Sequence, residues 1–226
     1  MLVEAPDGTM VEWESPEWMS RSDYSPSIPD PLSVVVPYLN TTPQWLILGG
    51  LGDGDDLVPA LCRWPSMKAI GIDPDPRAIK WQLEHGWPER FLLLGSALSD
   101  RIGSEKIFMD SLCCPSLHPR NLEKAPLDKV QSVLTVTLDS LDRDHGPFTD
   151  SILWLDLEGY DYKALLGASD LLTSGKVLIV GIEVSYALND ETNPLMFDLL
   201  SRAGYERVLV WFRQWWGHNE VWRRKK

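Results

Sequence analysis

The chain has 226 residues, of which 44% are hydrophobic and 24% charged, with 33 acidic and 21 basic side chains and a net charge of −12. These proportions are those of an ordinary soluble globular protein and exclude a collagen, a coiled coil or a wholly disordered chain. The length allows one domain with a short appendage but not two full-sized enzyme domains.

The charge is unevenly distributed along the chain. Residues 202–226 hold seven basic and two acidic side chains, a net +5, so the remainder carries −17. Because an acidic body repels a phosphate backbone, we expect no broad nucleic-acid interface. The apolar runs are far shorter than the roughly 20 residues of a membrane helix. The first residues lack the basic and apolar pattern of a secretion signal, so we expect a cytoplasmic protein.

Neither the cysteines nor the histidines have the spacing of a metal site. Cys113 and Cys114 are adjacent and Cys62 stands alone, so we expect reduced thiols rather than a disulfide framework or a zinc ribbon. The four histidines show no H-x-x-x-H spacing. No metal site is predicted from these residue types.

Residues 1–43 differ in composition from the rest and contain seven prolines. Their poor periodicity predicts an irregular N-terminal arm, with a short helix around Leu32–Leu39. Trp13, Trp18 and Tyr24 either anchor this arm on the domain or line a substrate entrance. We place the boundary of the main domain at residue 44.

Between residues 44 and 226, short apolar runs alternate with helical patterns, which predicts an α/β domain with a mostly parallel sheet. An antiparallel strand pair is expected at the C-terminus, from Arg207–Phe212 and Glu220–Trp222. The other predicted strands are Trp45–Leu48, Lys68–Ile72, Phe91–Leu94, Ile107–Phe108, Val133–Leu138, Ile152–Leu155 and Val177–Val184. The predicted helices are Leu57–Trp64, Arg77–His85, Tyr160–Leu172 and Pro194–Arg202.

Glycines and an acid follow the first two strands of this domain. Gly50, Gly52 and Gly54 have G-x-G-x-G spacing, and Asp73 lies 23 residues after Gly50, at the end of the second strand. Ligands of such sheets bind beyond the carboxyl ends of the strands, where a carboxylate can accept hydrogen bonds from ribose hydroxyls. Glycines let the backbone come close to a ligand. The pattern predicts an adenosine-containing cofactor.

Electrostatics distinguishes between adenosine cofactors. In a dinucleotide site, Asp53, Asp55 and Asp56 would face the negative pyrophosphate at the helix N-terminus. The third glycine of G-x-G-x-x-G is replaced by Asp55, and G-K-[ST] is absent. S-adenosylmethionine carries no phosphate, and its sulfonium and amino groups are positive. The sequence therefore favours S-adenosylmethionine over NAD or a nucleoside triphosphate.

Several blocks between Gln44 and Val210 resemble the FkbM family of S-adenosylmethionine-dependent methyltransferases. They are GGLGDGDD, IGIDPDP, GSALSDRIGSEKIF, VTLDSL and ILWLDLEGYDYKALLGA followed by VLIVGIEV, of which the last is the most specific. The resemblance implies a Rossmann-like class I methyltransferase fold. It also implies O-methylation of a hydroxyl, often on a sugar or natural product, with a small-molecule or glycan acceptor.

The resemblance also implies roles for individual residues. Asp156, at the end of the fourth strand, would face the reaction centre, with Glu158 nearby and Glu183 at the end of the fifth strand. One position departs from the family pattern, because Leu48 stands where an acid often precedes the first glycine. The residues implied to bind the cofactor are Gly50, Gly52, Gly54, Asp73, Pro74, Ser96 and Ala97.

The residues themselves leave several roles open. Asp156 and Glu158 could act as a base or position the acceptor, bind the amino group of the cofactor, or hold a divalent metal. Glu183, in an apolar strand, could line the substrate pocket or be a structural charge that needs a partner. The alternative to an enzyme is an inactive Rossmann-like module that serves in binding or interaction, which the departure at Leu48 motivates.

Overall fold

The computed structural model describes residues 2–4, 10–12, 31–52, 54, 57–85, 88–109, 129–185, 191–211 and 217–226. Trp13, Trp18, Tyr24 and the cysteine pair Cys113–Cys114 lie outside these residues, so the predictions about them stay predictions.

The described chain contains strands and helices in alternation. The strands are β1 (Leu2–Glu4), β2 (Met10–Glu12), β3 (Trp45–Gly49), β4 (Lys68–Ile72), β5 (Phe91–Leu94), β6 (Ala97–Leu98), β7 (Gly103–Phe108), β8 (Val130–Val136), β9 (Ser151–Leu155), β10 (Val177–Ser185), β11 (Tyr205–Trp211) and β12 (Gly217–Arg224). The helices are a 3₁₀ helix (Pro31–Tyr38), α1 (Leu57–Arg63), α2 (Pro76–His85), α3 (Leu138–His145), α4 (Asp161–Leu166), α5 (Ser169–Thr173) and α6 (Asn193–Arg202).

The central sheet has seven strands in the order β11-β12-β10-β9-β3-β4-β5. Strands β10, β9, β3, β4 and β5 run parallel, whereas β12 pairs antiparallel with both β10 and β11. The prediction of a mostly parallel sheet with an antiparallel C-terminal pair is confirmed. Parallel strands place their carboxyl ends along one edge of the sheet, which is where the glycine loop after β3 and Asp73 after β4 lie.

Apolar residues cover both faces of the sheet because side chains alternate along a strand. Ile47 and Val180 face α4 and α6 and pack with Leu165. Leu46 points to the opposite face and packs with Leu32 of the 3₁₀ helix. The short helix predicted around Leu32–Leu39 is thus present and closes this second face. Burial on both sides explains why these strands are continuous apolar runs.

A second sheet of three strands, in the order β6-β8-β7, lies apart from the central one. Strand β7 pairs antiparallel with β8, and β6 pairs parallel with β8. The prediction of Val133–Leu138 as a strand is wrong at its end, because Thr137 caps a helix instead. Its hydroxyl accepts from the Ser140 backbone N–H at 3.1 Å, and the Ser140 hydroxyl accepts from the Thr137 N–H at 3.3 Å. This reciprocal cap starts α3, a helix that the sequence did not predict.

The helix predicted over Tyr160–Leu172 is divided into α4 and α5 at Gly167. A Cβ built on Gly167 would lie 2.1 Å from the carbonyl oxygen of Ser99, so no side chain fits there. The chain needs this close approach to pack against the loop that follows β6. The hydrophobic periodicity of this segment cannot reveal the helix break, because the break depends on Ser99, which is 68 positions away.

The C-terminal pair contains a buried carboxylate with several partners. Glu220 is 1% exposed and accepts hydrogen bonds from Arg207 at 2.7 Å and from the Trp222 indole at 2.9 Å. Trp222 stacks on Phe197 with ring centroids 5.8 Å apart. Trp222 is therefore part of the core that packs against α6. Among the described residues, no helix has the length and apolar character needed to cross a bilayer.

Candidate functional site

A pocket of about 190 Å³ opens at the carboxyl ends of β3, β4 and β9. Its walls come from the loops after these strands and from the start of the three-stranded sheet. The lining residues are Gly50, Gly52, Ile72, Asp73, Pro74, Ala97, Leu98, Asp156, Leu157, Glu158 and Tyr160. Three of the lining side chains are acidic, and the described lining contains no basic one.

Gly50 sits where two strand ends meet and leaves no space for a side chain. Its φ is 78°, and a Cβ built on it would lie 1.9 Å from the carbonyl oxygen of Asp156. Its N–H donates to the carbonyl of Ile72 at 3.0 Å. Gly52 has a φ of 53°, but a Cβ there meets no described atom within 4 Å. Because Gly50 has no side chain, its backbone can approach that of Asp156 closely. The space around Gly52, in contrast, is open to the pocket.

Asp73 holds the glycine loop in place. The side chain is 5% exposed, and its two oxygens accept hydrogen bonds from the N–H groups of Gly52 and Asp75, each at 2.8 Å. Burial raises the pKa of Asp73 although both hydrogen bonds act in the opposite direction. A carboxylate oxygen has two lone pairs, so each oxygen can accept one further hydrogen bond from a ligand hydroxyl.

Asp156 and Glu158 both line the pocket but do not share a strand face. Strand β9 ends at Leu155, and Glu158 lies in a turn with a φ of 50°. The left-handed region is strained for a glutamate, and strain of this kind clusters at functional sites. Because the strand stops before Asp156, the alternation of side chains along a strand does not place the two acids on one face.

Asp156 and Glu183 form a carboxyl pair. Leu155 is in register with Ile182 of the neighbouring strand β10, so the next residues of the two strands are adjacent. Their carboxyl groups lie within hydrogen-bonding reach of each other. Burial first, and then repulsion from Asp156, raises the pKa of Glu183 to about 9. Burial also raises the pKa of Asp156, while the hydrogen bond with Glu183 acts in the opposite direction.

A third carboxyl group lies close to this pair. Asp161, in the first turn of α4, is fully buried, and its carboxyl has only weak contacts with the backbone N–H groups of Leu157 and of Asp161 itself among the described residues. Burial, followed by repulsion from Asp156, raises the pKa of Asp161 to about 8. The raised pKa favours the protonated form of Asp161 at neutral pH.

The structure brings together most of the residues that the sequence singled out. Gly54 and Ser96 are outside the described lining; Gly54 forms the turn before α1, where it accepts from the Leu57 N–H at 3.0 Å. Glu183 contacts the pocket through Asp156 instead of lining it. The predicted residues that line the pocket are Gly50, Gly52, Asp73, Pro74, Ala97, Asp156 and Glu158.

The sequence did not predict that Tyr160 and Asp161 belong to the site. Tyr160 lines the pocket, and Asp161 lies beneath it. Both stand in the block ILWLDLEGYDYKALLGA, but their placement depends on contacts with distant strands. Ile72, Leu98 and Leu157 complete the apolar part of the wall and carry no polar signal.

Leu48, the departure from the family pattern, belongs to the core. It is 3% exposed, and in the sheet it pairs with Trp154 of β9 and Gly71 of β4. An acid in this position would be buried among apolar side chains. Asp156 and Glu158 place carboxylates in the pocket from the adjoining strand end instead.

No metal centre is evident in the described part of the chain. There, no three or more His, Cys, Asp or Glu side chains are arranged to hold an ion.

Several known methyltransferases are similar to this chain in structure. Magnesium protoporphyrin IX methyltransferase from Synechocystis PCC 6803, solved with bound S-adenosylmethionine, has 10% identity and a TM-score of 0.49, covering 86% of this chain and 76% of that one. The methyltransferase domain of bacterial CtHen1-C has 11% identity and a TM-score of 0.49, covering 86% and 96%. No curated protein sequence matches the chain significantly.

The sequence profile of the methyltransferase FkbM domain matches residues 61–207, more than half of the chain. The matched range begins after the glycine loop, and the position of that loop at the pocket is given by the contacts of Gly50 and Gly52. It includes Asp73, Asp156 and Glu183. The resemblance inferred from the sequence is confirmed, and with it the expected cofactor class. The chain belongs to the FkbM family of S-adenosylmethionine-dependent methyltransferases.

Proposed function

We propose that this protein transfers the methyl group of S-adenosylmethionine to a hydroxyl of a small molecule, with a sugar as the expected acceptor. The observation that carries the proposal is the pocket that Asp73, after β4, and Asp156, after β9, line together, with Glu183 paired to Asp156. The Asp73 carboxylate can accept hydrogen bonds from the ribose hydroxyls of the cofactor. The Asp156–Glu183 pair can accept the proton of the acceptor hydroxyl.

The residues present fit the cofactor. The space at Gly52 and the free lone pairs of Asp73 suit the approach of an adenosine group. Asp156 and Glu158 supply negative charge, which favours a cation in the pocket. When bound, S-adenosylmethionine supplies an electrophilic methyl group on a positively charged sulfur. A dinucleotide would bring phosphate charges toward these same acids.

The carboxyl pair suits the removal of a hydroxyl proton. Glu183, with a pKa raised to about 9, holds a proton at neutral pH and donates it toward Asp156. The Asp156 carboxylate faces the pocket and can accept a proton from an acceptor hydroxyl. General base catalysis contributes about 10²–10⁴-fold to a rate. Holding the acceptor in line contributes up to roughly 7–11 kcal/mol more, so positioning is the larger effect.

The proposal is tested by incubating the protein with S-adenosylmethionine and a panel of monosaccharides and methyl glycosides. We expect mass spectrometry to detect a methyl ether on at least one sugar. The matched deoxy sugar, which lacks the reacting hydroxyl, should give no product. Amino sugars in the same panel distinguish the two acceptor atoms, and methylation that occurs only on nitrogen contradicts the hydroxyl proposal.

A further inference from the structure

A hydrogen bond links the pocket to the three-stranded sheet. Tyr160 lines the pocket and is 7% exposed, and its hydroxyl donates to a carboxylate oxygen of Glu105 on β7. The two residues are 55 positions apart in the sequence. The contact therefore joins the loop after β9, which carries Asp156, to a sheet that contributes Ala97 and Leu98 to the pocket wall.

Glu105 is itself held in place. Its other carboxylate oxygen accepts from the Ser99 hydroxyl at 3.3 Å and from the Arg101 guanidinium at 3.3 Å. These partners fix the rotamer of Glu105, so the oxygen that faces Tyr160 has a defined position. A carboxylate accepts a stronger hydrogen bond from a hydroxyl than a neutral group does.

The Tyr160 ring packs in a small apolar cluster of its own. Ala97, Ile107 and Met109 surround it, with Leu157 at the edge. An ion pair beside the cluster, between Lys163 of α4 and Asp100 at 2.7 Å, ties the same two parts of the chain together. Burial, and then the hydrogen bond to Glu105, raises the pKa of Tyr160, so the hydroxyl keeps its proton throughout the neutral range.

We propose that Tyr160 contacts the bound cofactor as part of the pocket wall and that Glu105 is a positioning residue that fixes the tyrosine through its hydroxyl. The inference rests on the proposed function, because it takes the pocket as the cofactor site. It adds the three-stranded sheet to the binding machinery: β7 acts on the cofactor through Tyr160 without itself lining the described pocket.

The test measures the dissociation constant of S-adenosylhomocysteine by calorimetry for four variants. Tyr160→Phe and Glu105→Ala each remove one partner, and each should weaken binding by about tenfold, as expected for a hydrogen bond to a charged group. The double variant should bind no more weakly than either single one. Glu105→Gln retains an acceptor oxygen and should stay within about twofold of the wild type.

A control on the same strand separates this role from a general effect on folding. Ser104 on β7 is exposed and pairs with the Ser132 hydroxyl at 2.7 Å, away from the pocket. Ser104→Ala should leave the dissociation constant unchanged. If Tyr160→Phe and Glu105→Ala lower the melting temperature but bind like the wild type, or if their effects add in the double variant, the inference is wrong. Failure of the wild type to bind would instead overturn the proposed function.

Discussion

Replacing Gly50 with alanine is expected to lower the melting temperature by on the order of 10 °C and to abolish measurable cofactor binding. The new Cβ would lie 1.9 Å from the Asp156 carbonyl oxygen, a backbone atom that cannot move without displacing the end of β9. The φ of 78° adds a left-handed strain of about 1–2 kcal/mol. Overpacking costs typically about 1–3 kcal/mol more, and each kcal/mol lowers the melting temperature by roughly 2–4 °C at this chain length.

Gly52 provides the matched control because its backbone is also left-handed but its surroundings are open. Gly52→Ala should cost only the strain of about 1–2 kcal/mol, and the melting temperature should fall by roughly 2–8 °C. The added methyl group faces the pocket, so S-adenosylhomocysteine should bind more weakly although the fold is kept. Thermal unfolding and calorimetry on both variants check the pair. Equal melting temperatures for the two would contradict the close approach at Gly50.

Asp156→Asn is expected to reduce the turnover rate by about 10²–10⁴-fold at saturating cofactor and acceptor. Asparagine has nearly the same shape but cannot accept a proton, so binding of S-adenosylhomocysteine should change much less than the rate. Steady-state kinetics with a sugar acceptor identified in the panel above makes the measurement. A turnover rate equal to that of the wild type would remove Asp156 from the chemistry.

The pH dependence of this rate follows from the raised pKa values at the site. In the active form Asp156 is a carboxylate and Glu183 donates its proton to it, so the wild-type rate should be level through the neutral range. The rate should fall above the pKa of Glu183, about 9, where this donor is lost. Glu183→Gln preserves a donor to Asp156 but removes the titrating group, so the fall near pH 9 should disappear. A pH profile in Glu183→Gln identical to that of the wild type would exclude Glu183 from the titration.

Part of this site could be predicted from local sequence. Gly50, Gly52 and Asp73 follow apolar strands at positions where any parallel sheet gathers its ligands, so strand order alone brings them together. Asp156 follows β9 for the same reason. The corresponding strand predictions hold because continuous apolar runs are buried on both faces of the sheet.

The rest depends on contacts between distant segments. Glu105 faces Tyr160 only because β7 pairs with β8 in a separate sheet. The break at Gly167 depends on the Ser99 carbonyl, and Asp161 is recognised as buried only once α4 is packed. Helix α3 was missed because its start signal is a Thr137–Ser140 cap with few apolar residues behind it. No local periodicity contains this information.

The measurement that tests the central claim most directly is calorimetric titration of the wild type and of Asp73→Ala with S-adenosylhomocysteine. We predict micromolar binding to the wild type and loss of at least tenfold in affinity in the variant, because Asp73 both holds the Gly52 turn and faces the pocket. Binding that Asp73→Ala leaves unchanged would place the cofactor elsewhere. No binding to the wild type would contradict the assignment of this pocket and favour a Rossmann-like binding module without methyltransferase activity.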